Sequence, residues 1–318
     1  MTIELRGINK KYENKVVLDN ITLTLREKFS TILGESGCGK TTLLKILAGL
    51  VTPDNGEIML NKNKLFSKSE KVNLRPNQRN LAMVFQDFAL WPHMTVFDNV
   101  AYSLKGNKEE KAAKVMDALR MVQLEEFAQR RPSELSGGQQ QRVSLARALA
   151  PRPKVILFDE ALSALDAVLR EKMQTDIVQL ISQTDSQAVF VTHDQHEAMS
   201  MSDQIIVMEK GRVSQIGTPK EIYEEPANHY VANFIGKINL LEKDVLIRPE
   251  FVHASKGDSK HLHRIFRVLR SQFTGNCYII HGEVDGNPWL FYSETPFVPG
   301  EQCDVYFEEQ QLIKIGGY

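Results

Sequence analysis

The segment from Gly34 to Thr41 constrains the fold of this chain more than any other feature. It reads GESGCGKT, fits the pattern GxxxxGK[ST], and lies between an apolar run at 29–34 and a helical pattern at 41–50. Glycines in such a loop let successive backbone N–H groups point at phosphate oxygens, and the following helix adds its positive dipole end. The sequence therefore predicts a strand, a phosphate-binding loop and a helix in an α/β fold.

Individual residues of this loop have separate expected roles. The Lys40 ammonium can reach the β- and γ-phosphates of a nucleotide, and the Thr41 hydroxyl can bind Mg²⁺. We expect the whole segment to contact the nucleotide, namely Gly34, Glu35, Ser36, Gly37, Cys38, Gly39, Lys40, Thr41 and Thr42. Alone, the motif indicates a P-loop NTPase and nothing narrower.

Two carboxylates follow a second apolar run, because residues 155–160 read VILFDE. Open α/β sheets bind ligands at the carboxyl ends of their strands. Asp159 is therefore predicted to hold Mg²⁺, and Glu160 to orient or deprotonate the attacking water. An isolated Asp-Glu pair most often consists of two solvated acids in a loop. Here the strand before the pair and the phosphate loop in the same chain favour the catalytic interpretation.

A second anion-binding helix start is predicted at residues 135–139, which read LSGGQ. Ser136 has the chemistry of an N-cap, and Gly137 and Gly138 expose backbone amides beside Gln139. One nucleotide does not obviously need two such helix starts from the same chain.

Taken in order, these motifs resemble those of ABC transporter ATPases, particularly importer subunits of the maltose, polyamine and ferric-iron type. The resemblance covers nearly all of residues 1–235 and implies ATP and Mg²⁺ as cofactors. It assigns adenine stacking to Tyr12 and a Q-loop role, catalytic and metal-binding, to Gln86. It also makes residues 163–166 (SALD) the D-loop and His193 the switch histidine that senses the γ-phosphate.

The chain departs from the family pattern just after Glu160. The family usually has proline at the next position, which would restrict the backbone there, whereas this chain has Ala161. Because the carboxylates remain, we expect hydrolysis to be retained, with its rate left open. A smaller departure, Thr41-Thr42 in place of the commoner Ser-Thr, keeps the hydroxyl ligand.

The composition changes after Gly236, where short alternating runs separated by turn formers begin. This pattern predicts a small all-β domain, and the resemblance implies an OB-like one. The predicted organisation is an α/β, RecA-like P-loop ABC ATPase domain over 1–236, with a helical subdomain around 108–124. A regulatory β-domain follows over 237–318. It could bind a regulatory protein, sense the cargo ion or hold two subunits together.

Charge and hydropathy exclude several classes of protein. The 318 residues have a formal net charge of -1, which disfavours a role centred on nucleic acid. No run approaches the roughly 18 apolar residues needed to span a bilayer, and residues 1–15 do not form a secretory signal. Three widely spaced cysteines indicate a reducing cytosol. In a membrane process, the chain must therefore use the membrane segments of a partner.

The resemblance thus implies the ATP-hydrolysing subunit of an importer, peripheral on the cytoplasmic face of the membrane. Its expected partners are integral membrane permease subunits, a second copy in a head-to-tail dimer and an extracytoplasmic solute-binding protein. Phe88, Leu90 and Trp91 are candidates for the groove that receives the permease. Ferric iron is the first expected cargo, with polyamine or sugar next. The rival interpretations are a soluble ABC-family protein acting on nucleic acid or ribosomes, and an efflux ATPase.

Overall fold

The structure is a computed structural model, and it describes residues 1–255 and 262–316. The chain divides into two units, Met1–Pro219 and Lys220–Tyr318. This division falls just after the first residue of a helix, Pro219–Glu224, which lies inside the predicted ATPase domain. The predicted domain limits, 1–236 and 237–318, therefore stay a prediction.

A six-stranded sheet is the centre of the first unit. The strands of this unit are β1 (Ile3–Tyr12), β2 (Lys15–Leu25), β3 (Phe29–Gly34), β4 (Asn55–Leu60), β5 (Asn63–Ser67), β6 (Val72–Asn73), β7 (Leu81–Val84), β8 (Val155–Asp159), β9 (Gln187–Thr192), β10 (Gln204–Glu209) and β11 (Arg212–Gly217). The sheet has the order β11-β10-β3-β9-β8-β7, and its strands are parallel except for β11. Every residue of β3, β8 and β9 is buried, as in a parallel sheet covered on both faces. The predicted parallel α/β sheet is confirmed.

A second sheet in this unit was not predicted. It is antiparallel, with the order β2-β1-β4-β5-β6. In β1, buried Ile3, Leu5 and Ile8 are separated by partly exposed residues, so one face packs inward and the other does not. Register shifts interrupt this alternation, and the apolar pattern is therefore weaker than in β3 or β8.

The helices of the first unit begin at polar caps, except the first, which begins after Gly39 without a side-chain cap. They are α1 (Lys40–Ala48), α2 (Val96–Ala101), α3 (Lys108–Met121), α4 (Gly137–Leu149), α5 (Ala167–Ser182) and α6 (Gln195–Met201). Side chains of Asn107, Ser136, Asp166 and Asp194 accept backbone N–H groups at the starts of α3 to α6. The predicted helical insert is α3, which packs with α2 and α4. Over the described residues, no helix has the length and apolar character required to span a bilayer.

The second unit is mainly β-structure. After α7 (Pro219–Glu224) and α8 (His229–Ile235) come β12 (Asn239–Glu242), β13 (Val245–Ile247), β14 (Leu262–Phe273), β15 (Tyr278–Val284), β16 (Asn287–Ser293), β17 (Gln302–Phe307) and β18 (Ile313–Lys314). They form antiparallel sheets of order β12-β13-β18 and β16-β15-β14-β17. Phe266, Trp289, Phe291 and Phe307 are among the residues of its core. This arrangement is consistent with the predicted OB-like domain.

Arg79 is a buried residue that joins the end of α1 to the segment before β7. It is 1% exposed, and its Nη1 donates to the carbonyl oxygens of Ile46 (2.8 Å) and Leu47 (2.9 Å). Its Nε donates to the Leu74 carbonyl (2.9 Å) and its Nη2 to Asn73 Oδ1 (3.1 Å). Burial lowers the pKa of Arg79 to about 10. The carbonyls at the helix end carry partial negative charge, so they accommodate this buried cation.

We expect Arg79→Met to lower the free energy of unfolding by about 2–4 kcal/mol, because buried carbonyl groups lose their donors. The matched control is Arg26→Met at an exposed position, where we expect a change within about 0.5 kcal/mol. Urea denaturation followed by circular dichroism measures both. Equal stability of the two variants would contradict the role given to Arg79.

Candidate nucleotide site

The phosphate loop has a backbone that requires glycine at defined positions. Gly37 and Gly39 have φ angles of 82° and 108°, in the left-handed region. A Cβ atom on Gly39 would lie 2.7 Å from the carbonyl oxygen of Val17, too close for any side chain. The loop leads directly into α1, which begins at Lys40. The predicted strand, loop and helix are therefore all present, with the amides of the helix start free for an anion.

The Lys40 side chain lies under this loop. It is 4% exposed, and its Nζ donates to the carbonyl oxygens of Gly34 (2.8 Å) and Glu35 (3.0 Å). A shallow cavity of about 170 Å³ opens there, lined by Val17, Ser36, Gly37, Gly39, Lys40, Thr41, Thr42 and Glu160. The loop thus presents an ammonium group and open glycine backbone in one concave site, which suits a polyphosphate.

Thr41 and Asp159 meet beside the loop. The Thr41 hydroxyl donates to Asp159 Oδ1 at 2.9 Å, and Asp159 is 8% exposed. Burial raises the pKa of Asp159, an effect that the Thr41 hydrogen bond partly offsets. A hydroxyl and a carboxylate oxygen are hard ligands of the kind that Mg²⁺ prefers, so these residues fit the predicted metal.

Glu160 and His193 follow β8 and β9 and lie together at the same edge of the sheet. His193 Nδ1 is 3.3 Å from Glu160 Oε2. The Glu160 backbone has a φ of 45°, and its N–H donates to the carbonyl of Val191 at 3.0 Å. The Ser163 hydroxyl donates to the Glu160 carbonyl at 2.8 Å. Two of the three residues predicted to be catalytic, Glu160 and His193, are therefore adjacent, beside the Thr41–Asp159 pair.

Three other predicted residues have locations that agree with their expected roles without testing them. Gln86 is two residues past the end of β7, at the same edge of the sheet. Tyr12 ends β1 with 46% of its surface exposed, and the Lys10 ammonium lies 5.2 Å from its ring centroid. Cys38 is buried within the loop, and burial raises the pKa of its thiol. The roles of Gln86 and Tyr12 stay predictions.

The predicted second helix start is the beginning of α4. Ser136 Oγ accepts the N–H of Gln139 (3.4 Å), and Ser136 N–H donates to Gln139 Oε1 (2.9 Å), which forms a capping box. A Cβ on Gly137 would meet no atom within 4 Å, so the helix start is open to an approaching group. Gly138 instead packs closely on Leu169. These residues are distinct from those that line the cavity at Lys40.

The candidate coupling segment depends on a residue that the sequence analysis missed. Phe88 and Ala89 both have positive φ angles, 59° and 46°, which are uncommon for such residues. Arg147 of α4 donates to both of their carbonyl oxygens, with Nη2 2.8 Å from that of Phe88. Its guanidinium lies 5.4 Å from the ring centroid of Trp91, which packs on Tyr102. No motif marked Arg147, because its role depends on a turn that is 58 residues earlier in the chain.

A wider groove, of about 400 Å³, is lined by residues that include Lys114 and Lys154. It lies at the amino end of β8, whereas ligands of open α/β sheets bind at the carboxyl ends. The smaller cavity at Lys40 is therefore the better candidate, because it combines the correct edge of the sheet with the loop, the ammonium group and the carboxylates.

Comparison with known proteins agrees with this geometry. A family model described as ABC transporter matches residues 18–163. The spermidine/putrescine import ATP-binding protein PotA of Vibrio vulnificus (strain YJ016) is 51% identical over 314 residues, 98% of this chain and 75% of the relative. The chain belongs to the ATP-binding subunits of ABC transporters, a family of ATPases. PotA of Pasteurella multocida is 50% identical over 250 residues, and there the chain spans 66% of the relative, just under two thirds of its length.

Solved structures of ABC cassettes match the chain as well. The dimeric post-hydrolysis ATP-binding cassette MJ0796, bound to ADP and Pi, has a TM-score of 0.59 at 33% identity. That match covers 68% of this chain and 98% of the cassette. CbiO1 from Clostridium perfringens, described as part of the ABC transporter complex cbiONQ, has a TM-score of 0.63 at 26% identity. That match covers 69% of this chain and 89% of CbiO1. The resemblance stated from the motifs is confirmed.

Proposed function

We propose that this chain is the ATP-hydrolysing subunit of an ABC importer. The observation that carries the proposal is the contact of Glu160 with His193, beside the Thr41–Asp159 pair, at the carboxyl edge of a parallel sheet. Phosphoryl transfer needs little covalent chemistry from a protein, so positioning and charge neutralisation are the main requirements. The cluster supplies groups for both.

Each residue has a role consistent with its position. Glu160 orients and deprotonates the attacking water, and His193 hydrogen-bonds near the γ-phosphate and senses its presence. Lys40 moves from main-chain carbonyls to the phosphates. Thr41 and Asp159, with Gln86, would hold Mg²⁺, which supplies charge neutralisation at the phosphates.

The absence of proline after Glu160 does not leave the backbone there unrestrained. Ala161 is fully buried, and the Glu160 carbonyl accepts hydrogen bonds from both the N–H (3.1 Å) and the hydroxyl (2.8 Å) of Ser163. These contacts restrain the Glu160 backbone from which the carboxylate projects, and they support retention of hydrolysis in this chain.

The site is completed by a second copy of the chain in a head-to-tail dimer. Ser136, at the open start of α4, caps the γ-phosphate of the nucleotide held by Lys40 of the other copy. Two features support this arrangement: the start of α4 is separate from the lining of the cavity at Lys40, and the MJ0796 cassette is described as dimeric. Both sites then form together, which couples nucleotide binding to closure.

Polyamine is the cargo that the relatives favour. Ferric iron was placed first from the sequence, but the relatives give it no support, whereas all of those named above at 50% identity or more are spermidine/putrescine import proteins. We therefore place polyamine uptake ahead of ferric iron and sugar. The chain would act at the cytoplasmic face with permease subunits, next to Phe88, Leu90 and Trp91, and with an extracytoplasmic solute-binding protein.

We expect Glu160→Gln to retain ATP binding and to lower turnover by about 10²–10⁴-fold, because it removes the base and keeps the shape of the side chain. Glu126→Gln, at an exposed position, is the matched control and should leave turnover unchanged. Phosphate release and binding of a fluorescent ATP analogue are measured on the purified full chain. Turnover within a few-fold of wild type would refute the role of Glu160.

Mixed dimers test whether Ser136 acts on the nucleotide of the other copy. Lys40→Ala and Ser136→Arg each damage both sites of a homodimer, whereas a mixed dimer has both lesions in one site and one intact site. We expect vanadate to trap nucleotide in mixed dimers and in neither parent. If mixed dimers form, as shown by two affinity tags, and trap nothing, the head-to-tail arrangement is wrong.

Cargo is tested by uptake in cells that lack their own polyamine importers. Cells with this chain and its cognate permease and solute-binding protein should accumulate labelled spermidine or putrescine, and Lys40→Ala should abolish the uptake. Labelled ferric iron and maltose are measured in parallel. Uptake of one of these in place of polyamine would overturn the cargo assignment and leave the ATPase assignment intact.

A further inference from the structure

The backbone of Glu160 is held in a conformation that a residue with a side chain seldom adopts. Its φ of 45° lies in the left-handed region, which persists for non-glycine residues only where the surroundings over-determine it. Two neighbouring segments supply the restraint. One is the D-loop, residues 163–166, through Ser163. The other is the end of β9, through Val191, together with the switch loop that follows it, through His193.

Arg170, in the first turn of α5, contacts both of these segments. Its Nη2 donates to the carbonyl oxygen of Leu165 in the D-loop at 2.9 Å. Its Nη1 lies 3.7 Å from Oδ2 of Asp194, the residue after His193. Its Nε is buried and, among the described residues, has no hydrogen-bond acceptor. Because the buried Nε has no acceptor to hold it, the position of the side chain depends on the two Nη contacts, with Leu165 and Asp194.

Asp194 uses its two carboxylate oxygens differently. Oδ1 accepts the N–H groups of His196 (2.8 Å) and Glu197 (3.2 Å) and so caps α6. Oδ2 faces Arg170. The cap fixes the start of α6, and the contact with Arg170 connects that start to α5, so the chain just after His193 is restrained by both helices.

These contacts form a closed ring. It runs from Glu160 to His193 (3.3 Å), along the chain to Asp194, across to Arg170 (3.7 Å) and on to Leu165 (2.9 Å). From Leu165 it follows the D-loop to Ser163, whose hydroxyl returns to the carbonyl of Glu160 at 2.8 Å. Arg170 is the residue that closes the ring between the two loops.

We propose that Arg170 is a positioning residue that holds the D-loop and the switch loop in fixed positions on either side of Arg170 and thereby positions Glu160. The proposal rests on the proposed function, since it concerns the rate of the hydrolysis that Glu160 performs. Arg170 is not among the residues that line the cavity at Lys40, so it should affect turnover and leave ATP binding unchanged. A contact of 3.7 Å between side chains that are 31% and 32% exposed contributes little to folding, so its loss should leave the fold intact.

The experiment measures kcat and KM for ATP on the full chain, with thermal melting and circular dichroism as checks of folding. Arg170→Met removes both contacts, Arg170→Lys keeps a cation that can make one of them, and Asp194→Asn keeps the cap of α6 without the charge. Lys172→Met makes the same change as Arg170→Met at an exposed position of the same helix.

We expect Arg170→Met to lower kcat by about 10–100-fold with KM within about twofold of wild type, as misplacement of a catalytic group does. Arg170→Lys should recover part of the loss, and Lys172→Met should match wild type. In the double variant, Asp194→Asn should add little to the loss of kcat that Arg170→Met causes, because both changes break the same ring of contacts.

Wild-type kcat in folded Arg170→Met, or additive losses in the double variant, overturns the positioning role. If Arg170→Met does not fold, Asp194→Asn decides, and wild-type turnover in that variant overturns the proposal. These outcomes are separate from failure of the proposed function, which would appear as a wild-type chain without ATPase activity or as an active Glu160→Gln variant.

Discussion

Parallel pairing of β3, β9 and β8 is the constraint on which the site depends. Their register places Leu33 opposite Thr192 and Val191 opposite Asp159, so the three strands end at one edge. The phosphate loop, the acid pair and the switch histidine follow these ends and therefore meet, although more than 150 residues separate the first from the last. Because all three strands are completely buried, the apolar core of the unit maintains the geometry of the site.

The sequence predicted correctly those parts of the molecule whose structure is determined by the local residue pattern. GESGCGKT predicted its loop because Gly37 and Gly39 occupy left-handed positions, and VILFDE predicted a buried strand with acids at its end. The antiparallel sheet was missed because half-buried strands such as β1 carry bulges and partly exposed residues. Arg79, Arg147 and Arg170 were missed because most of their hydrogen-bond acceptors are main-chain carbonyls distant in sequence or in turns, which no sequence pattern identifies.

These arginines indicate how the unit is stabilised around its loops. Each donates to carbonyl oxygens at a helix end or in a turn, where backbone acceptors have no partner in regular structure. Five donors in a rigid planar group allow one side chain to satisfy several such acceptors together. Arg147 of α4 and Arg170 of α5 thus restrain the Phe88–Ala89 turn and the D-loop, and Arg79 restrains the end of α1, in addition to the apolar core beneath them.

Helix α4 has a consequence for how such subunits diversify. Its open start is capped by Ser136, and its last turn carries Arg147, which donates hydrogen bonds to the carbonyl oxygens of Phe88 and Ala89. Arg147 lies eleven residues after Ser136, about 17 Å farther along the axis of the same helix. Under the proposed function, mutations that adapt the surface around Trp91 to a different membrane partner can accumulate at one end of α4 while Ser136 at the other end stays unaltered. Because α4 is one continuous helix, a displacement of either end also displaces the other.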